Sequence, residues 1–259
     1  MANPNVGYDP EQYWGTVGLH IGDRGSTSLL AGDDEPFDQL KRRKFLERLL
    51  SHLQIANKSC LEIGCGPGGN LLVLRGLGPE RLAGVDISQT MVDIAGANTP
   101  DDVETTKIDG RVLPFADNEF DVVFCATVLM HNVDEVAAPL VAEMCRVAGE
   151  RVVLFEEVAP RRRDRYSYVK RTVAEYVAIC TSHGFQLDRV EYLHHEILQK
   201  LCRVPRRLLS PRGTHEGAAR NHASRTIERS MIGAFGWVDD VVTIDSGLAE
   251  IAFRVRDKV

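Results

Sequence analysis

No stretch of the 259 residues is apolar for the roughly 20 positions that a bilayer span requires. The opening Met1-Ala-Asn-Pro-Asn-Val has neither the basic start nor the apolar core of an export signal. No membrane association is expected, and the expected compartment is the cytoplasm. The six cysteines, Cys60, Cys65, Cys125, Cys145, Cys180 and Cys202, are scattered without a C-x-x-C pair. That spacing speaks against a zinc cluster or a disulfide framework, and for small core residues in a reducing compartment. Internal repeats and low-complexity tracts are missing too. What is present is an ordinary 44% apolar fraction, enough for one large α/β domain with a buried core.

The net charge of −6 is unevenly spread: residues 160–230 hold 15 Lys/Arg against 7 Asp/Glu, and the rest of the chain holds 16 against 30. This asymmetry points to either a solvated basic surface or an anionic group on the substrate. The first 30 residues carry Tyr8, Tyr13, Trp14 and His20 with no strand alternation, and suit an arm folded over a site or packed on its own core. From Asp38 to Leu53, apolar residues at Leu40, Phe45, Leu46, Leu49, Leu50 and Leu53 make one helical stripe, with Lys41, Arg42, Arg43 and Lys44 toward water.

From Ser59 onward strand and helix alternate. Strands are expected at 59–63, 81–86, 103–109, 120–126, 151–156, 186–193 and 248–255. Helices are expected at 70–77, 88–97, 134–147 (with Asp134 as cap) and about 169–182. The βαβ rhythm predicts an α/β fold with a doubly wound, seven-stranded, mostly parallel sheet and a site at the strand C-termini. Residues 1–40 are expected as an arm or lid and 41–259 as the main domain. Within it, 194–247 forms a partly helical insertion before the last strand.

The stretch Cys60-Leu-Glu-Ile-Gly-Cys-Gly-Pro-Gly-Gly-Asn70 reads as a strand ending in a Gly-rich turn that opens a helix. Glycines let backbone N–H groups approach a ligand, and an acidic residue ending the next strand, Asp86, suits the two hydroxyls of a ribose. Dinucleotides and S-adenosylmethionine share those features. Glu62, just before the first glycines, fits an ammonium better than a diphosphate.

With those residues in hand, the chain resembles the class I (Rossmann-like) S-adenosylmethionine-dependent methyltransferases of the broad small-molecule type 11 kind. Leu61–Gly69 is similar to the family's first motif and Gly84-Val-Asp-Ile-Ser88 to its second. Lys107–Val123 is similar to its third, and Ser182-His-Gly-Phe185 to the Gly-Phe turn before strand six. The resemblance covers about residues 45–193 and the final strand. It implies S-adenosylmethionine as cofactor, held by Glu62, Gly64, Cys65, Gly66, Gly68, Asn70, Asp86, Ile87, Ser88, Met91, Asp109, Gly110, Arg111, Ala126 and Thr127. In this frame Asp86 takes the ribose and Asp109 the adenine amino group.

The motifs are nearly silent on the acceptor, whose recognition is expected from the arm and residues 194–247. An acceptor hydroxyl needs a base, and His131, just after strand four, is the expected catalytic residue; the other reading gives it only a loop-shaping role. Tyr13, Trp14, His131, Glu156, Tyr166 and His195 are the candidate substrate contacts. No metal is expected, the minor alternative being Mg²⁺ on Glu156, Glu157 and Asp134. The expected acceptor is a small molecule, anionic or sugar-containing, methylated on oxygen. N- or C-methylation and a non-catalytic adenosyl-binding protein stay open. RNA methylation is disfavoured because the basic residues are not interleaved with stacking aromatics and no Asn/Asp-Pro-Pro-Tyr motif follows strand four.

Overall fold

A computed structural model describes residues 9–23, 36–165, 168–194, 196–209, 222–241 and 247–256. In chain order the elements are α1 (Pro10–Asp23), α2 (Pro36–His52), β1 (Ser59–Ile63), α3 (Gly69–Arg75), β2 (Arg81–Asp86) and α4 (Gln89–Asn98). Next come β3 (Val103–Lys107), β4 (Phe120–Ala126), a 3₁₀ turn (Leu129–His131), α5 (Asp134–Val147) and β5 (Ala148–Val158). The remainder is β6 (Arg163–Arg165), β7 (Tyr168–Lys170), α6 (Val173–Ser182), β8 (Phe185–Tyr192), α7 (Glu196–Leu209), α8 (His222–Phe235), α9 (Val238–Val241) and β9 (Gly247–Val255). Among the described residues no helix is long and apolar enough to cross a membrane.

The sheet has the order β3-β2-β1-β4-β5-β9-β8, with only β9 antiparallel to its neighbours. Its central strands are mostly apolar because both faces are covered, and successive residues divide between two cores. Leu61, Val123, Cys125 and Leu154 face α5 and α6. Cys60, Val122, Phe124 and Phe155 face α2, α3 and α4. All six cysteines are buried, and none of them forms a disulfide among the described residues. β1 pairs with both β2 and β4, so the chain leaves it first toward one edge and then toward the other. At such a switch point the loops diverge and open a crevice above the strand ends.

Several boundaries differ from expectation for local reasons. The N-terminal segment is a helix, α1, and α2 runs across residue 40. The α6 helix starts at Val173, later than expected, because Thr172 and Glu175 form a reciprocal capping box. The residues before it pair as the β6–β7 hairpin. Asp134 is the first residue of α5, with Val133 as the cap. β5 is longer than expected at both ends, because Ala148 pairs with Phe120 of β4 and β9 pairs along it as far as Val158. The expected insertion supplies α7, α8 and α9, and Leu198 and Cys202 of α7 pack on Phe37 at the start of α2.

α3 lies so close to the sheet that a Cβ on Gly84 would come within 2.5 Å of Leu71 Cδ1 and 2.8 Å of Cys65 Cβ. Gly84→Ala is therefore expected to destabilise the fold by about 1–3 kcal/mol, read as a lower midpoint in urea unfolding. An unchanged midpoint would contradict this packing.

Candidate functional site

A cavity of about 340 Å³ sits in the crevice at the C-terminal ends of β1, β2 and β4. Its floor is the turn after β1. Gly64 has φ 69, and a Cβ there would sit 2.4 Å from Val128 Cγ2, so only glycine fits between the two turns. The turn's amides are spent inside the protein. Gly64 and Cys65 donate to Val85 O at 2.7 and 3.0 Å, Gly66 to Asp86 Oδ2 at 2.9 Å, and Gly68 to Cys65 O at 3.1 Å. A cradle for a diphosphate needs such amides free. The geometry corrects the expectation that this loop offers its N–H groups to a ligand.

Asp86 is the joint of the site. Besides the Gly66 bond, its Oδ1 accepts from Ser88 N at 2.9 Å. Each oxygen keeps a second lone pair, the acceptor pattern that two neighbouring hydroxyls require. Burial raises its affinity for a proton, against the pull of the Ser88, Gly66 and Ile87 amides. Ile87, Met91, Ile108 and Gly110 form an apolar wall beside it. Asp109 and Arg111 line the rim, where Asp109 Oδ1 accepts from Arg111 N (2.8 Å) and Val112 N (3.1 Å), which hold its carboxyl below the usual range.

At the opposite end Glu62 is 1% exposed. Its Oε1 accepts from Asn70 Nδ2 at 2.6 Å, whereas Oε2 is buried with no hydrogen-bond partner among the described residues. Burial pushes its proton affinity up to about 8, opposed by the Asn70 hydrogen bond and the charge of Arg42. A buried carboxylate oxygen without a donor is costly, and a cationic group in the cavity would supply the missing one.

The third wall is the turn after β4. Thr127 has φ 58, a conformation that costs a non-glycine residue on the order of 1–3 kcal/mol. Its neighbours enforce that conformation. Thr127 N donates to Phe155 O at 2.8 Å, and buried Glu156 accepts from Val128 N and Leu129 N at 2.8 Å and from Met130 N at 3.1 Å. Buried Arg171 holds the opposite side, donating to Leu129 O and Asn132 O at 2.7 Å. The turn presents His131 to the cavity, where its ring meets Trp14 of α1 edge to face at 5.2 Å. Val17, Val136 and Leu140 complete an apolar surround.

Of the expected cofactor contacts, Glu62, Gly64, Cys65, Gly66, Asn70, Asp86, Ile87, Met91, Asp109, Gly110, Arg111, Ala126 and Thr127 line the cavity, as do Trp14 and His131. The others do not. Gly68 is the N-cap of α3, where a Cβ would meet Ala95 Cα and Thr99 Cγ2 at 3.1 Å, so it serves the approach of α3 to α4. Ser88 caps α4 through Met91 N. Tyr13 packs on Trp14 from outside the cavity. Glu156 lies behind the His131 turn and not in the substrate space, because strand alternation turns it toward the α5 face. Tyr166 and His195 lie outside the described residues. The three residues of the Mg²⁺ alternative have other partners here. Glu156 is committed to amides, Glu157 to Lys41 and Lys170, and Asp134 to Arg162 and Arg171. Among the described residues no cluster of metal-ligating side chains occurs. Arg42 reads from sequence as part of a solvated basic face, and Arg171 carries no local signal that sets it apart.

Residues 61–154 match the family model described as a methyltransferase domain. A tRNA U34 carboxymethyltransferase of Nautilia profundicola aligns over 88 residues at 27% identity, 33% of this chain and only 29% of that protein. Magnesium protoporphyrin IX methyltransferase of Synechocystis PCC 6803, solved with bound SAM, shares the fold at TM-score 0.62 and 16% identity over 97% of this chain and 100% of that one. A 4+2 cyclase, SpnF, does so at TM-score 0.65 and 16% identity over 95% of each. At such identities the likeness is one of architecture, and the chemistry must be argued from the site.

Glu62 and Glu156, raised by burial to about 8 and about 7, make stability depend on pH. Below their ordinary value of 4.5 both folded and unfolded states hold these protons, and the contribution is complete. As pH rises, the unfolded chain releases them first, so the contribution is lost through pH 7–8. The ligand-free protein is expected to melt at progressively lower temperature from about pH 5 to pH 9, and Glu62→Gln to flatten that decline. A melting temperature flat across this range would refute the burial of both carboxyls.

Proposed function

We propose that the protein is an S-adenosylmethionine-dependent methyltransferase, a reading supported by the match of residues 61–154 to a methyltransferase domain, and that it methylates a hydroxyl of a small metabolite, sugar-containing or anionic, with His131 as the base. One observation carries the reading. Among the described cavity residues, His131 is the only titratable side chain at the β4 end, held there by a strained turn and walled by apolar groups.

The residues suit the cofactor on their own chemistry. Glu62 Oε2 lacks a donor that an ammonium provides, Asp86 offers an acceptor on each oxygen, and the Ile87–Met91 wall suits a flat purine. Bound there, S-adenosylmethionine supplies a methyl group already activated by positive sulfur. Trp14, Val17, Val136 and Leu140 exclude water and confine the acceptor. A ring nitrogen of His131 takes the hydroxyl proton, and the Glu156–Arg171 clamp holds that ring in place. A neutral amine acceptor would make less use of such a base, which is why oxygen is preferred here.

A second reading, RNA as acceptor, is supported by the curated relative named for tRNA U34. Release of S-adenosylhomocysteine during incubation with hydroxylated metabolites, amines and tRNA, with Mg²⁺ or chelator, separates the readings. Turnover on tRNA alone would replace the small-molecule assignment. Asp86→Ala is expected to weaken cofactor binding on the order of a hundredfold or more, since it removes the ribose acceptors and the anchor of Gly66. Calorimetry showing wild-type affinity would sink the site. His131→Ala is expected to keep cofactor affinity within about threefold while turnover falls on the order of 10²–10⁴-fold. Near-normal turnover would leave His131 with a loop-shaping role only.

A further inference from the structure

We propose that Arg42 of α2, outside the segment matched by the family, is a positioning residue for the amino-acid end of the cofactor. It acts through Asn70 on Glu62, and the inference rests on Glu62 as the acceptor of the ammonium.

The connections are direct. Arg42 Nη1 donates to Asn70 Oδ1 at 2.6 Å, and Asn70 Nδ2 donates to Glu62 Oε1 at 2.6 Å. An amide has one acceptor end and one donor end, so a cation on Oδ1 fixes which end faces the carboxylate. Without it Asn70 could turn its oxygen toward Glu62, setting two acceptors together. With it, Glu62 is held by one oxygen and presents the other, Oε2, without a protein partner. Arg42 is itself seated over Phe45, 5.6 Å from the ring centroid, and Phe45 packs edge to face on Phe155 of the core. The cavity is lined by Glu62 and Asn70, with Arg42 one step behind them.

The relay also sets the charge of Glu62. Arg42 from α2 and the Asn70 amide from α3 favour the carboxylate, whereas burial and Asp86 from β2 oppose it. The remaining titratable neighbours are the thiols of Cys60 and Cys65 and that of Cys125 on β4, each raised by burial and so uncharged at neutral pH. Removing the guanidinium makes Glu62 keep its proton to higher pH. A protonated carboxyl is a poorer partner for an ammonium.

The test compares two ligands by calorimetry on the full chain between pH 6 and 8.5. S-adenosylhomocysteine carries the amino-acid tail, and 5′-methylthioadenosine keeps the adenosine and sulfur without it. Arg42→Met is expected to weaken S-adenosylhomocysteine about tenfold near pH 7 and to leave methylthioadenosine within about twofold. It should also move the pH at which S-adenosylhomocysteine binding declines upward relative to wild type. Arg42→Lys, which keeps the cation, is expected to recover part of that affinity at low pH. Equal losses for both ligands would mean a general structural role and overturn the proposal, as would an unchanged affinity and pH profile in Arg42→Met. Glu62→Gln separates the two levels. If it too spares S-adenosylhomocysteine, the ammonium assignment falls and the relay with it. If it loses that ligand while Arg42→Met does not, only the relay falls.

Discussion

The carboxylate of Asp86 holds the architecture of the site together. Through Gly66 N it ties the turn after β1 to the end of β2, and through Ser88 N it shapes the entry to α4. Those two turns form the floor and one wall of the cavity. With Gly64 and Cys65 bonded to Val85 O, the glycine turn is a closed hydrogen-bonded unit, and the polar groups it leaves for a ligand are carboxylate oxygens. A site built this way favours donors and positive charge. That preference separates it from nucleotide sites that offer amides to a phosphate.

Two buried glutamates show how position in a strand decides use. Glu62 and Glu156 are each almost fully enclosed, and burial raises both. Glu156 is satisfied by three amides of the turn after β4, which Arg171 holds from the other side through Leu129 O. Glu62 has one oxygen satisfied and one not. The unsatisfied group faces the ligand space, and the satisfied one faces away from it.

Most of the sheet was legible because its strands are short apolar runs bounded by turn residues, a local pattern. Phe120–Ala126 is read at its observed bounds, and Asp86 and Asp109 are found from their place at strand ends. What escaped depends on partners distant in the chain. Arg42 sits in a basic run whose neighbours Arg43 and Lys44 carry the same local signal, and its bond to Asn70 tells it apart. Glu156 and Glu157 look alike at the end of a strand. Pairing with β9 extends that strand, and the alternation then sends one under the His131 turn and the other to Lys41 of α2. The late start of α6 was written in Thr172 and Glu175, and was missed because the apolar spacing before them continues without a break.

β9 has a consequence for how the chain acquires this shape. Residues 247–255 lie between β5 and β8, both made earlier, so neither has its full complement of neighbours until β9 emerges from the ribosome. The β1–β4 half, with its short-range parallel pairs, is complete much sooner. Until β9 emerges the edges of β5 and β8 are open to wrong pairing, while the strands that carry the crevice turns are already made. A ligand held in the crevice would stabilise the finished half during that wait.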